Sequence, residues 1–153
     1  MKISFGCDHA GYAVKADIVS YLRSLGHEVV DFGTFSDQSC DYPDYAYKAA
    51  KAVAAGDCAL GILICGTGLG ISIAANKVKG IRCAHCESEY VCRMSRSHND
   101  CNMLALGART TSLADMKNFI DIFLTTPHLG GNHTRRVQKL SQIEDGNDPS
   151  SLN

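Results

Sequence analysis

The segment Cys65-Gly66-Thr67-Gly68-Leu69-Gly70 sets a thiol directly before a run rich in glycine. Glycines let backbone N–H groups come close to a ligand, and a helix opening there adds partial positive charge. Such a turn can bind a phosphate, stabilise an oxyanion that develops during a reaction, or serve only as a structural turn. A thiol beside converging amides at a helix start can carry thiolate near neutral pH, and so attack an electrophile or take a proton. Read alone, Cys65 is equally a buried core cysteine at the end of a strand. A dinucleotide fingerprint fits poorly. Its third glycine would fall where Ile71 stands, and that motif normally follows the first strand, where this chain has Gly6-Cys7-Asp8-His9-Ala10-Gly11.

Other polar residues fall where a ligand could meet them. Asp8 and His9 follow the first apolar run; they can shuttle protons or hold phosphate, or Asp8 can simply cap the next helix. Ser97-His98-Asn99-Asp100 precedes the fifth apolar run, and Arg109 follows it. Arg135 and Arg136 stand beside Asn132 and His133. Arginine forks suit phosphate oxygens, although isolated arginines are usually solvated surface charges.

These residues must be held by something, and the chain alternates short apolar runs with amphipathic stretches, the pattern of an α/β domain with a parallel sheet. Ile3-Ser4-Phe5 reads as strand one. Val14, Ile18, Leu22 and Leu25 form one helical face, with Gly26 as its stop. His27 to Phe32 reads as strand two and Gly33 to Tyr42 as a loop. Pro43 opens a helix whose apolar face includes Ala46, Ala49, Ala50 and Val53. Leu60-Gly61-Ile62-Leu63-Ile64 is apolar throughout, as expected of a strand covered on both faces. Ile81 to His85 is strand four, followed by a helix from about Ser88 to Ser95, and Met103 to Leu106 is strand five. Ser112 and Asp115 stand in capping-box register ahead of a helix carrying Met116, Ile120 and Phe123. A last helix covers about Asn132 to Gln142. Residues 1–143 read as one domain and 144–153 as a polar, frayed tail.

In parallel sheets ligands gather at the carboxyl ends of the strands, the edge that carries Cys65, Asp8, His9 and Arg109. His98 belongs to the opposite edge. If it acts with Cys65, either its loop reaches around the sheet or a second subunit supplies it.

Composition narrows the function classes. The 153 residues carry 15 basic and 16 acidic side chains, a net charge of −1, with no basic run to favour nucleic acid. No stretch of about 18 apolar residues suggests a membrane span, and the first residues lack a signal-peptide core. The sequence thus predicts a cytoplasmic protein. Its eight cysteines would suggest disulfides in a secreted chain, but the missing signal peptide points to a reducing compartment, where most read as small buried apolar residues. Cys83-Ala84-His85-Cys86 has no second ligand pair at zinc spacing, so no metal site is predicted.

Together, Gly6-Cys7-Asp8-His9-Ala10-Gly11, Asp41-Tyr42-Pro43, Cys65-Gly66-Thr67-Gly68-Leu69-Gly70, Ser97-His98-Asn99-Asp100 and Leu106-Gly107-Ala108-Arg109 resemble the type B ribose-5-phosphate isomerases, in the sugar-phosphate isomerase family that also holds galactose-6-phosphate isomerase. The resemblance runs to about Ile143. It implies a Rossmann-like three-layer α/β/α sandwich with a five-stranded parallel sheet, a homodimer with sites shared between subunits, and no cofactor or metal. Whether dimers pair into tetramers stays open.

The resemblance also assigns roles. The catalytic set is Cys65, His98, Asp8 and Thr67, with Cys65 moving a proton between C2 and C1 and His98 opening the sugar ring. The amides of Gly66, Gly68, Leu69 and Gly70 would stabilise the enediolate. Asp8 and Asn99 would bind hydroxyls, Tyr42 and Thr67 would line the sugar pocket, and His9, Arg109 and Arg136 would hold the phosphate. Related enzymes usually carry arginine where this chain has Asn132, which implies a weaker phosphate grip unless Arg135 takes part. A six-carbon sugar phosphate (allose or galactose 6-phosphate) is the alternative substrate, and a non-catalytic sugar-phosphate sensor the alternative class.

Overall fold

The computed structural model describes residues 1–152. In chain order it contains β1 (Lys2–Cys7), α1 (His9–Ser24), β2 (Glu28–Asp31), α2 (Tyr42–Ala54), β3 (Leu60–Cys65) and α3 (Leu69–Ala75). There follow β4 (Cys83–His85), α4 (Glu89–Ser97), β5 (Met103–Gly107), α5 (Leu113–Thr125), α6 (Asn132–Glu144) and a 3-10 turn at Pro149–Ser151. All strand pairs are parallel, in the order β2-β1-β3-β5-β4.

Strand side chains alternate between two cores, as the pleat requires. Ile3, Phe5, Ile62, Ile64, Leu104 and Leu106 pack with Ile18, Leu22, Cys92, Met116 and Phe123 from α1, α4 and α5. Leu63, Cys65, Met103 and Ala105 pack with Ala46, Ala49, Ala50, Ile71 and Ala75 from α2 and α3. This is the expected three-layer α/β/α arrangement. Cys65 faces the α2/α3 layer.

Element ends differ from the sequence reading for local reasons. His27 N–H is taken by the Leu22 carbonyl, so β2 starts one residue later. Ile81 N–H turns back to Val78, which delays β4 to Cys83. The second helix opens at Tyr42 behind Asp41, with Pro43 inside its first turn. Ser88 caps α4 by accepting from Val91 N–H, and that helix runs on to Ser97. The last helix extends to Glu144, and Asp148 caps the 3-10 turn beyond it.

Two close approaches bring the elements of the site together. At Gly6, a β-carbon would lie 2.8 Å from Leu63 Cδ2 and 3.2 Å from Ala49 Cβ, so small residues let α2 lie tight on the sheet. At Gly11, a β-carbon would lie 2.6 Å from the Ile64 carbonyl oxygen. The first turn of α1 therefore rests on the end of β3, and Asp8 N–H donates to Ile64 O at 3.3 Å. Because the obstacle at Gly11 is backbone, Gly11→Ala is expected to destabilise the fold by about 1–3 kcal/mol, the usual range for overpacking. Urea denaturation followed by circular dichroism checks this.

Candidate active site

Order β2-β1-β3 makes the chain turn outward in opposite directions from β1 and β3, which opens a crevice at their carboxyl ends. Asp8 and Cys65 stand there. Cys65 is 4% exposed, and the Gly68 N–H donates to its Sγ at 3.2 Å. Gly68 achieves this with φ 81°, a left-handed conformation that favours glycine. Thr67 is exposed at the tip of the turn, and its Oγ1 accepts from Leu69 N–H at 3.3 Å.

Neighbouring strands fix the rim of this turn. Ala108 and Arg109 N–H groups donate to Cys65 O and Gly66 O at 2.8 and 2.9 Å, tying the end of β5 to the turn. The Arg109 guanidinium lies against Gly66, where a β-carbon would come 3.3 Å from Nη1. The Tyr42 ring covers Gly70 so closely that a β-carbon there would lie 2.6 Å from Cζ.

Asp8 proves to be the cap of α1: its Oδ1 accepts from Ala10 and Gly11 N–H at 2.9 and 3.1 Å. Capping occupies one carboxylate oxygen and leaves Oδ2. His9 Nδ1 accepts from Cys40 N–H at 3.2 Å, which puts the proton of the neutral ring on Nε2. The loop bearing Cys40 is anchored by buried Lys15, which pairs with Asp31 at 2.7 Å and donates to Thr34 O at 2.7 Å.

His98 sits at the other edge, as the C-cap of α4. Four steps along β5, at ~3.3 Å each, set the two edges ~13 Å apart. Asp100 grips this corner: Arg96 Nη1 and Arg82 Nη2 each reach its carboxylate at 3.1 Å, and Arg82 Nε donates to Asn99 O at 3.1 Å. His128 Nδ1 bonds to Ser97 O at 3.1 Å and its Nε2 to Thr134 Oγ1 at 3.2 Å, lashing the start of α6 to the end of α4. The result is a stack of His98 on His133, ring centroids 4.0 Å apart and 10° from parallel. Asn132 and Arg136 flank His133 on α6, exposed to solvent.

The structure thus divides the expected site residues into two groups. Asp8, His9, Tyr42, Cys65, Gly66, Thr67, Gly68, Leu69, Gly70 and Arg109 gather at the carboxyl edge. His98, Asn99, Asn132 and Arg136 gather at the amino edge, and among the described residues no side-chain hydrogen bond or ion pair joins the groups. Sequence reasoning gave no role to His85, at the end of β4, to Cys40 or to His133, nor to the Arg82, Arg96, Asp100 and His128 that order the amino edge. As the last residue of β4, His85 could have been found by the rule that ligands gather at carboxyl strand ends; Cys40 and His133 carried no comparable signal. Seven of the eight cysteines are buried, Cys40 being half-buried. Burial pushes the Cys7 and Cys101 thiols up to about 12, so they are inert. Among the described residues no group of three or more His, Cys, Asp or Glu is placed to hold a metal ion.

Residues 3–140 match the ribose/galactose isomerase family. The chain belongs to that family.

Ribose-5-phosphate isomerase B of Escherichia coli is 50% identical over 143 residues, covering 94% of this chain and 96% of that one. The structure of ribose-5-phosphate isomerase B from Clostridium thermocellum superposes with a TM-score of 0.94 at 52% identity, covering 95% of this chain and 99% of that one. The enzyme of Mycoplasma genitalium, solved with bound ribulose 5-phosphate, gives a TM-score of 0.90 at 38% identity over 94% of this chain and 96% of that one. This isomerase shares their five-stranded parallel sheet and helical layers.

The histidine stack of this isomerase has a titration signature. His133 is held below its ordinary value of 6.5, first by desolvation and then by the charges of His98, Arg136 and His128. Below pH 6.5 the folded chain therefore binds fewer protons here than the unfolded one. This contribution to stability is intact above 6.5 and is lost as pH falls through that value toward the folded pKa. Proton NMR is expected to show His133 titrating below 6.5, moving back toward it in His98→Asn.

Proposed function

We propose that this isomerase interconverts ribose 5-phosphate and ribulose 5-phosphate through an enediolate, with Cys65 as the base. The observation that carries the reading is the Gly68 N–H bond to Cys65 Sγ, inside a glycine turn at the sheet's ligand edge. The named relatives support the substrate.

His98 transfers a proton to the furanose ring oxygen as the C1–O ring bond breaks, and the C1 hydroxyl releases its proton to solvent to give the open-chain aldehyde. The Cys65 thiolate removes the C2 proton while the C2 electron pair moves to form the C1–C2 double bond and charge gathers on O1. Backbone N–H groups of the turn stabilise that charge, and a preorganised donor of this kind is worth ~3–4 kcal/mol. Asp8, through Oδ2, and Asn99 hold the hydroxyls and move a proton from O2 to O1. The Cys65 thiol then returns its proton to C1, leaving the carbonyl at C2. His9, Arg109 and Arg136 take the phosphate, and Tyr42 and Thr67 border the sugar.

This assignment needs both edges in one site, and the ~13 Å between them (from the strand rise) calls for a second subunit. We infer a homodimer in which His98, Asn99 and Arg136 complete the partner's site. In support, α6 has no buried residue and exposes Leu140 and Ile143, while Leu69 and Ile73 stand exposed beside the Cys65 turn. We place the enzyme in the cytoplasm, where its eight free thiols would stay reduced. Among the described residues no helix is long and apolar enough to cross a membrane.

In excess EDTA, Cys65→Ala and His98→Asn are each expected to lower ribose 5-phosphate turnover by at least ~10²–10⁴-fold. Mixed dimers of the two variants are expected to recover about half of wild-type activity, because each contains one intact shared site; a site built within one chain would recover nothing. Wild-type enzyme that binds ribose 5-phosphate without turnover would point to a sensor, and turnover of allose 6-phosphate alone to a six-carbon substrate. Asn132→Arg is expected to lower KM by ~10-fold with little change in kcat, as one added charged hydrogen bond to phosphate would. Steady-state kinetics at fixed ionic strength measures it.

A further inference from the structure

β4 ends at the same sheet edge as β1, β3 and β5, and its last residue is His85. The imidazole lies directly behind the glycine turn: a β-carbon at Gly68 would sit 2.5 Å from His85 Cδ2 and 3.0 Å from Nε2. The same β-carbon would lie 2.9 Å from the Leu106 carbonyl carbon. Gly68 is thus clamped between β4 and β5, and it is the residue whose N–H donates to Cys65 Sγ.

No polar partner explains where the ring sits. His85 Nε2 is buried and without a hydrogen bond, although the side chain as a whole keeps 16% exposure. The nearest acid, Glu87, is 65% exposed with Oε1 3.8 Å away, beyond hydrogen-bond reach. A buried ring nitrogen without a partner opposes folding and calls for a reason. Packing against Gly68 supplies one. Arg109 lies against Gly66, and Asp8, at the end of β1, bonds through its N–H to Ile64 O. Neither is among the atoms nearest the Gly68 position.

We propose that His85 is a positioning residue for Cys65: it fills the space behind Gly68, holds that residue left-handed, and keeps its N–H aimed at the sulfur. The proposal deepens the reading of Cys65 as base and rests on it. With the imidazole gone, Gly68 can relax into the space, the amide swings off Sγ, and the thiolate loses a donor that favours it.

The test compares His85→Ala, His85→Asn and His85→Gln with wild type. Gln carries a planar end that reaches about as far as imidazole Nε2, whereas Asn keeps the polarity but leaves the space empty. Iodoacetamide alkylation of the Cys65 peptide, followed by mass spectrometry at pH 7, reads the thiolate without relying on turnover. Ala and Asn are expected to slow that alkylation about tenfold and to lower kcat for ribose 5-phosphate similarly, with KM within about twofold and Gln restoring most of both. A fall in melting temperature with unchanged Cys65 alkylation would make His85 a packing residue only and overturn the proposal. Should the Ala variant fail to fold, unchanged alkylation in Asn would do the same. If wild type does not turn over ribose 5-phosphate yet Cys65 reactivity still depends on His85, the proposed function falls and the positioning role stands.

Discussion

The central strand β3 is hydrogen-bonded to β1 on one side and β5 on the other, and covered by helices on both faces, so its end has no freedom to drift. Cys65 inherits that rigidity. A hydrogen bond of 3.2 Å from a glycine amide to a sulfur is useful only if both atoms stay in place. Here the sulfur is fixed by the strand, and the amide by the packing of β4 and β5 against Gly68. Close approaches at Gly6 and Gly11 extend the same constraint outward. They bring α2 near enough for Tyr42 to cover the turn at Gly70, and α1 near enough for Asp8 N–H to reach Ile64 O at the end of β3.

The amino edge is built by different means. Charge and hydrogen bonding order it: two arginines on Asp100 and a histidine bridging Ser97 and Thr134. Asp100 itself has φ 45°, a conformation costly for a residue with a side chain, and the paired arginines hold it there. The outcome is a histidine stack at the opposite end of the sheet from the thiol. The homodimer proposed above would bring these two edges together across a symmetric interface.

Much of this was legible in the sequence. The unbroken apolar run of Leu60–Ile64 marked a central strand, and the glycines after Cys65 marked a turn where backbone could meet a ligand. The Ala46, Ala49, Ala50 stripe marked a helix packed close. The order of motifs along the chain was specific enough to indicate the family that residues 3–140 match. These are local features, written in residue type and spacing, and local rules read them.

Contact between distant segments was not legible. Whether Asp8 would cap a helix depended on where α1 meets β3, and its Oδ1 does cap α1. His85 looked like part of a cysteine pair in sequence, yet it packs on Gly68 from another strand. The His98–His133 stack joins the ends of α4 and α6, 35 residues apart. Sequence by itself determined the α/β class, the strand count and the family, because hydrophobic period and motif spacing act over a few residues. Tertiary structure alone decided the strand order, the packing against Gly68 and the separation of the candidate residues between two sheet edges, because these follow from which faces pack together across the whole chain.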